Sequence, residues 1–277
     1  MDARLCQIAF LATLLTVGVL VRDFTLRPEQ MALTFASGLA TQALFIRMLR
    51  LQKIGYLSAL ITCFGLSILL RADTLWVHPL AAAIAIGSKF LLRVHGKHVY
   101  NPANLGVMTS ILLLPGAWVS PGQWGTDLAL AGWFVALGAL VTQRARRWDI
   151  SWMFLVTFLG LVALRVLWLG QSPAVFVHQL GNGGLLLFSF FMISDPMTIP
   201  NRRSMRLVYA LVVAAVAFGW QYVWFRPNGL VWSLFLCAPV VVVLDWVVRG
   251  ERFGWRPLRS ERHDTPESDS KRVTTST

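Results

Sequence analysis

Apolar runs of about 17 to 20 residues, separated by short polar links, recur along almost the whole chain, and that is the length an α-helix needs to cross the hydrocarbon core of a bilayer. The pattern predicts ten such spans, near 5–21, 31–49, 55–70, 78–93, 102–115, 127–143, 150–169, 174–193, 205–225 and 229–248. The expected fold class is therefore all-α and integral to a membrane, with one polytopic domain over 1–248. From 249 to 277 the apolar periodicity stops, and a stretch rich in Ser, Thr, Arg and Glu reads as a disordered polar tail. The first run follows Met1-Asp2-Ala3-Arg4 without a small-residue cleavage site after it, so it is expected to stay as a span.

Charge adds direction to this picture. The net charge is +12 with only 14% charged residues, and the cations sit in clusters between apolar runs, which argues for membrane topology over a nucleic-acid partner. Links after even-numbered spans carry Arg47, Arg50 and Lys53, then Lys89, Arg93 and Lys97, then Arg144, Arg146 and Arg147, then Arg202, Arg203 and Arg206. With Arg4 and the tail, 20 of the 25 Lys and Arg fall on one side. The positive-inside rule then places both termini in the cytoplasm, and the expected location is a bacterial inner membrane crossed many times.

Cys6, Cys63 and Cys237 lie singly inside apolar runs, so no disulfide, zinc or protein-ligated iron–sulfur site is expected. Soluble hydrolase chemistry has no support either, since nucleophile elbow, paired carboxylates and HExxH are all lacking.

Two polar junctions interrupt this apolar background. Asn101-Pro102-Ala103-Asn104 and Asp195-Pro196-Met197-Thr198 each place a proline at a first helical turn behind a residue able to cap it. Two readings stand side by side. At the membrane surface each junction is only a helix start; inside the protein, capped ends and free N–H groups line a cavity or hold a ligand. The eighth run adds His178-Gln179-Leu180-Gly181-Asn182-Gly183-Gly184, too polar for a lipid-facing helix. Gln42, Lys89 and Asp245 are further polar residues at depth. Lys89 reads as snorkelling to the cytoplasm, and Asp245 as the partner of a cytoplasmic Arg.

Internal repetition is visible in two ways. A gapless shift of 94 superposes Arg50 on Arg144, Pro79 on Pro173 and Asn101-Pro102 on Asp195-Pro196. An inverted pairing of spans 1–5 with 6–10 sets Asn101-Pro102 against Arg226-Pro227-Asn228. The sequence leaves both open.

HVYNPANLGV at 98–107, FFMISDPMTIP at 190–200 and FRPNGL at 225–230, in that order among ten spans, resemble the NqrB/RnfD family. These are the flavin-carrying membrane subunits of the sodium-pumping NADH:quinone oxidoreductase and of the Rnf complex, and the chain is similar to a compact, stand-alone member. The resemblance implies a fold like that of urea transporters, which favours the inverted repeat. It also implies electron transfer through bound flavin, riboflavin or FMN, with other redox subunits or a flavoprotein donor as partners and no catalytic residues of its own. The family's covalent FMN is attached to a Thr in an SGAT-like segment between spans five and six. Thr126 holds that place here, behind Gln123-Trp124-Gly125 instead of Ser-Gly-Ala, so non-covalent flavin is expected.

A flavin needs an apolar slot, hydrogen bonds to its polar edge, and positive potential near that edge. Candidates are Asn101, Pro102, Asn104, Asp195, Pro196, Thr198, His178, Asn182 and Asn228, with Lys97 near a phosphate. The alternative is a transporter or channel for a small polar solute on the same fold. The chain offers few acidic residues at membrane depth, so ion pumping is not expected.

Overall fold

In the computed structural model, residues 3–21, 27–51, 55–120, 128–251 and 253 are described. Helices occupy the predicted apolar runs: α1 (Ala3–Val21), α2 (Pro28–Met48), α3 (Leu57–Leu69), α4 (Val77–Leu91), α5 (Pro102–Leu113), α6 (Leu128–Arg144), α7 (Trp148–Trp168), α8 (Pro173–Leu180), α9 (Gly183–Leu187), α10 (Arg203–Phe218) and α11 (Gly229–Val247). Two π-helical turns extend α9 (Phe188–Met192) and α10 (Gly219–Val223). Among the described residues, four helices are long and apolar enough to cross a membrane, and α8 with α9 and its π turn makes a fifth if counted as one bent span.

The structure departs from ten unbroken spans at two kinds of place. The eighth run is divided, because Gly181 ends α8 and the Asn182 side chain accepts from Leu185 N to start α9, with a bend of 46° between the two parts. In addition, α3 and α5 have only 13 and 12 residues, so each covers about 20 Å or less of a roughly 30 Å core. Beyond their ends the chain turns to strand. β1 (Leu70–Ala72) pairs antiparallel with β4 (Ala117–Val119), Arg71 opposite Trp118, and the ladder satisfies backbone groups that no helix serves there. A second short hairpin, β2 (Arg93–Val94) with β3 (Lys97–His98), links α4 to α5 at the opposite, basic end.

Three helix pairings recur between the first and second parts of the chain. α2 lies on α4 as α7 lies on α10; α1 lies on α3 as α6 lies on α9 and its π turn; α4 lies on α5 as α10 lies on α11. The halves meet through α1 against α6 and α5 against α11. At the first contact Phe10 stacks on Phe191 at 4.6 Å and meets Phe134 edge-on at 5.7 Å.

Glycine sets two close approaches near the site. A Cβ on Gly106 would stand 2.8 Å from the Ala85 Cβ and 2.9 Å from the Ala81 carbonyl, so α5 closes on α4 only with glycine there. A Cβ on Gly138 would meet Phe190 at 2.6 Å, and the gap lets that ring lie against α6.

Candidate functional site

The two polar-proline junctions come together at the basic end of the bundle. Asn101 caps α5, its side-chain oxygen accepting from Asn104 N at 3.1 Å. Its amide nitrogen is thereby turned outward, to the Met192 carbonyl and the Asp195 carboxylate, both at 3.4 Å. Asp195 uses its other oxygen to accept from Met197 N at 3.0 Å, while Thr198 N and Oγ1 donate to the Asp195 carbonyl. Proline at 102 and at 196 fixes the backbone after each capping residue, so both polar side chains are set by a few local bonds.

Beside this pair lies a slot of about 110 Å³. Ser58, Ile61, Thr62, Gly65, Ile68 and Leu69 line it from one face of α3, a spacing that runs along the helix for about 17 Å. Leu11 of α1, Val141 of α6 and the π-turn rings Phe190 and Phe191 supply the other walls. The polar groups gather at one end: Lys89, His98, Asn101 and Asp195. The slot is long, thin and apolar, with donors and acceptors at its mouth.

Lys89 is 5% exposed and donates to the Ser58 carbonyl at 2.8 Å. It does not snorkel as the sequence reading expects; its ammonium turns into the protein. Burial holds the Asp195 carboxyl above its ordinary range, opposed by the Met197 N–H and by the charges of Lys89 and Lys97. Burial likewise brings His98 down to about 4, with Lys89 and Arg93 adding to the effect, so this ring is neutral at neutral pH.

Ion pairs join the elements beyond the slot. Lys97 on the β2–β3 hairpin donates to Asp245 at 2.6 Å, to Asn201 at 3.3 Å and to the Ile199 carbonyl. Its three N–H donors are all taken by protein, and the Asp245 carboxylate sits in the same outer pocket, so the pocket is poorly suited to phosphate. Asp245 in turn accepts from Asn201 N at 2.8 Å; its partner is Lys97, not the arginine that the sequence reading expects. Farther along, Arg206 on α10 binds Asp149 on α7 through two nitrogens at 2.9 and 2.6 Å, both residues buried.

The candidate residues therefore separate into groups. Asn101, Pro102, Asp195 and Pro196 line the slot. Asn104 and Thr198 lie behind them, Asn104 donating to the Val231 carbonyl of α11 at 3.0 Å. His178 is exposed on α8, Asn182 caps α9, and Asn228, at φ 58°, precedes α11. None of these three lines the slot. Thr126 falls outside the described residues. The sequence reading did not single out Ser58, Thr62, Phe190 or Phe191 for the slot; the spacing of small and polar residues at 58, 62 and 65 was the available signal.

Residues 119–254 match the model of the NQR2, RnfD, RnfE family. Among curated proteins the chain is similar to the RnfD component of the ion-translocating oxidoreductase complex of Stutzerimonas stutzeri, 28% identical over 158 residues, which are 56% of this chain and 38% of that protein. The protein of that name from Citrobacter koseri is 27% identical over 167 residues, 60% of this chain and 45% of its own length. That from Escherichia coli O6:H1 is 25% identical over 140 residues, 50% of this chain and 36% of its own. The similarity thus spans less than half the length of these relatives.

Proposed function

We propose that this chain, a relative of the NQR2, RnfD and RnfE proteins over residues 119–254, is a membrane electron-transfer protein that holds a flavin without a covalent bond in the α3 slot. The single observation that carries the reading is the meeting of Asn101 and Asp195 at the mouth of a thin apolar slot. The residues fit the group. An isoalloxazine is flat, and its pyrimidine edge has a ring N–H between two carbonyls, which calls for an acceptor flanked by donors.

Asp195 would accept from the ring N–H and the Lys89 ammonium would donate to a carbonyl beside it, while Asn101, whose two amide N–H groups go to the Met192 carbonyl and to Asp195, holds that carboxylate in place. Phe190, Phe191, Ile61 and Ile68 would cover the ring faces and keep water out. When bound, the flavin supplies one- and two-electron redox chemistry; the chain contributes position, dryness and a fixed field. Arg4 and Gln7 also line the slot and would face the ribityl chain.

We further propose an inverted two-fold repeat. The matched packing of α1–α5 and α6–α11 supports it, which makes Asn228 the counterpart of Asn101 and disfavours the 94-residue shift. Clustered cations support a cytoplasmic position for the slot mouth. Complexes containing relatives of this chain are named ion-translocating oxidoreductases, and redox membrane subunits or a flavoprotein donor are the partners we propose here.

The second reading is passage of a small polar solute, which the modest slot volume favours. Against it, the far end is closed: Leu66, Ile68, Leu69, Leu70 and Arg71 are each 3% exposed or less, and Arg71 folds back onto the carbonyls of Ser67, Ile68 and Leu70. Titrating riboflavin into the detergent-purified chain and following its fluorescence tests the main reading. Saturable quenching in the wild type that is lost in Asp195→Ala and Asn101→Ala supports it. Absence of quenching, together with solute flux in proteoliposomes that those substitutions abolish, would favour the second.

A further inference from the structure

Among the described residues, Lys89 is a buried cation that no acidic side chain neutralises. It is 5% exposed, and its hydrogen bonds go to the Ser58 carbonyl at 2.8 Å and the Ser58 hydroxyl at 3.5 Å. No described carboxylate lies within ion-pair distance of it. Asp195 lines the same slot and is close enough for the two charges to affect one another. Yet its oxygens are bonded to Met197 N and to the Asn101 amide, not to Lys89. A lysine and an aspartate on one small cavity have every electrostatic reason to pair, because a lone ammonium in apolar surroundings is costly. Here Lys89 is tied to Ser58 on α3, and Asp195 to its own turn and to Asn101, so both line the slot without pairing.

We infer that Lys89 is the residue that sets the charge preference of the slot: it favours a ligand whose edge is anionic, and so favours the reduced form of a flat heteroaromatic over the oxidised form. This rests on the flavin reading above. Two-electron reduction with uptake of one proton leaves the ring system with one negative charge on the pyrimidine edge. An ammonium fixed beside that edge by Ser58, in a slot walled by Phe190, Phe191 and Ile61, lowers the energy of that form more than of the neutral one. Lys89 itself forms no bond to the ligand beyond a hydrogen bond and gives up no proton. Its contribution is a difference in affinity between two redox states, and the electrons come from whatever donor is supplied, dithionite in the assay below.

The test uses the full chain in detergent, reconstituted with riboflavin, as wild type, Lys89→Met and Lys89→Arg. Riboflavin affinity is measured in the oxidised state, and the midpoint potential by dithionite titration against redox dyes at several pH values. In Lys89→Met the ratio of reduced to oxidised affinity is expected to fall at least tenfold, which for a two-electron couple lowers the potential by about 30 mV. Proton uptake on reduction is expected to rise from about one to about two at neutral pH, as the neutral reduced form takes over, with Lys89→Arg staying near wild type.

Ligand-free thermal midpoints give a separate arm. Removing an unneutralised buried charge is expected to leave Lys89→Met at least as stable as wild type, whereas a loss of several degrees would make Lys89 a structural prop and overturn the inference. Bound riboflavin with unchanged potential and unchanged proton uptake in Lys89→Met would overturn it as well. A wild type that binds no riboflavin would instead remove the flavin reading, and this inference with it.

Discussion

The Asn101 amide and the Asp195 carboxylate stand 3.4 Å apart although 94 positions separate them in the chain. Each comes from a capped turn that proline stiffens, and each has one side-chain oxygen committed to its own backbone. What remains of each side chain meets the other at the edge of the slot. Hydrogen bonds to a charged group are worth about 1.5–3 kcal/mol, so Asp195→Ala is expected to weaken riboflavin binding about 10- to 100-fold, while Asp195→Asn, which offers an amide in place of the acceptor, should fall between. Fluorescence titration reads the difference. Equal affinities in all three would mean that the edge is not recognised here.

The Lys97–Asp245 pair joins the β2–β3 hairpin to α11 and to the 193–202 link. Both side chains are mostly buried, at 13% and 17% exposure, so removing either strands the other. Lys97→Met and Asp245→Asn should each lower the thermal midpoint, and the double variant should lose less than the two added together, with a coupling of about 1–3 kcal/mol. Strict additivity would show that the pair contributes nothing.

His98 provides a pH signature. Its folded value of about 4 lies below the ordinary value of 6.5, so the unfolded chain binds a proton first. Stability is therefore unaffected by this group above pH 6.5 and falls as pH drops from 6.5 toward 4. Asp195 shifts in the opposite sense, since a carboxyl held above its ordinary value gains folded stability on protonation. Comparing melting in wild type and His98→Asn across this window separates them: the variant is expected to lose the decline. An identical pH profile would exclude His98 as its cause.

Gly106 tests the geometry between α4 and α5. Valine there must push against the Ala81 carbonyl and the Ala85 Cβ, and such overpacking costs about 1–3 kcal/mol. Because Lys89 lies on α4 and Asn101 at the start of α5, Gly106→Val is expected to reduce riboflavin affinity as well as stability. Unchanged binding would show that this contact does not position the site.

Much of the architecture was legible because hydrophobic run length is set by helix rise and bilayer thickness. The two motifs were legible because proline behind a capping residue has a distinct local meaning. Their meeting was not, since it depends on how α5 and the π turn pack, a matter of long-range contacts. The sequence also placed α3 and α5 as ordinary spans, though strand pairing between Leu70–Ala72 and Ala117–Val119 lets both stop short. Lys89 was misread for a related reason: at the last turn of an apolar helix a lysine usually reaches toward water, and only the Ser58 carbonyl on a neighbouring helix reveals that this one turns inward. His178 and Asn182 were drawn in by the polar composition of the eighth run and Asn228 by the FRPNGL motif; Asn182 caps α9 and Asn228 precedes α11, away from the slot.

Flavin content of the purified chain bears most directly on the proposed electron-transfer role. Expressed with riboflavin supplied, solubilised and freed of unbound dye, the protein is denatured and the released flavin counted against polypeptide. About one flavin per chain is expected, released without covalent attachment, with a marked loss in Asp195→Ala. A folded wild-type protein that is colourless and releases none would contradict a flavin-based role.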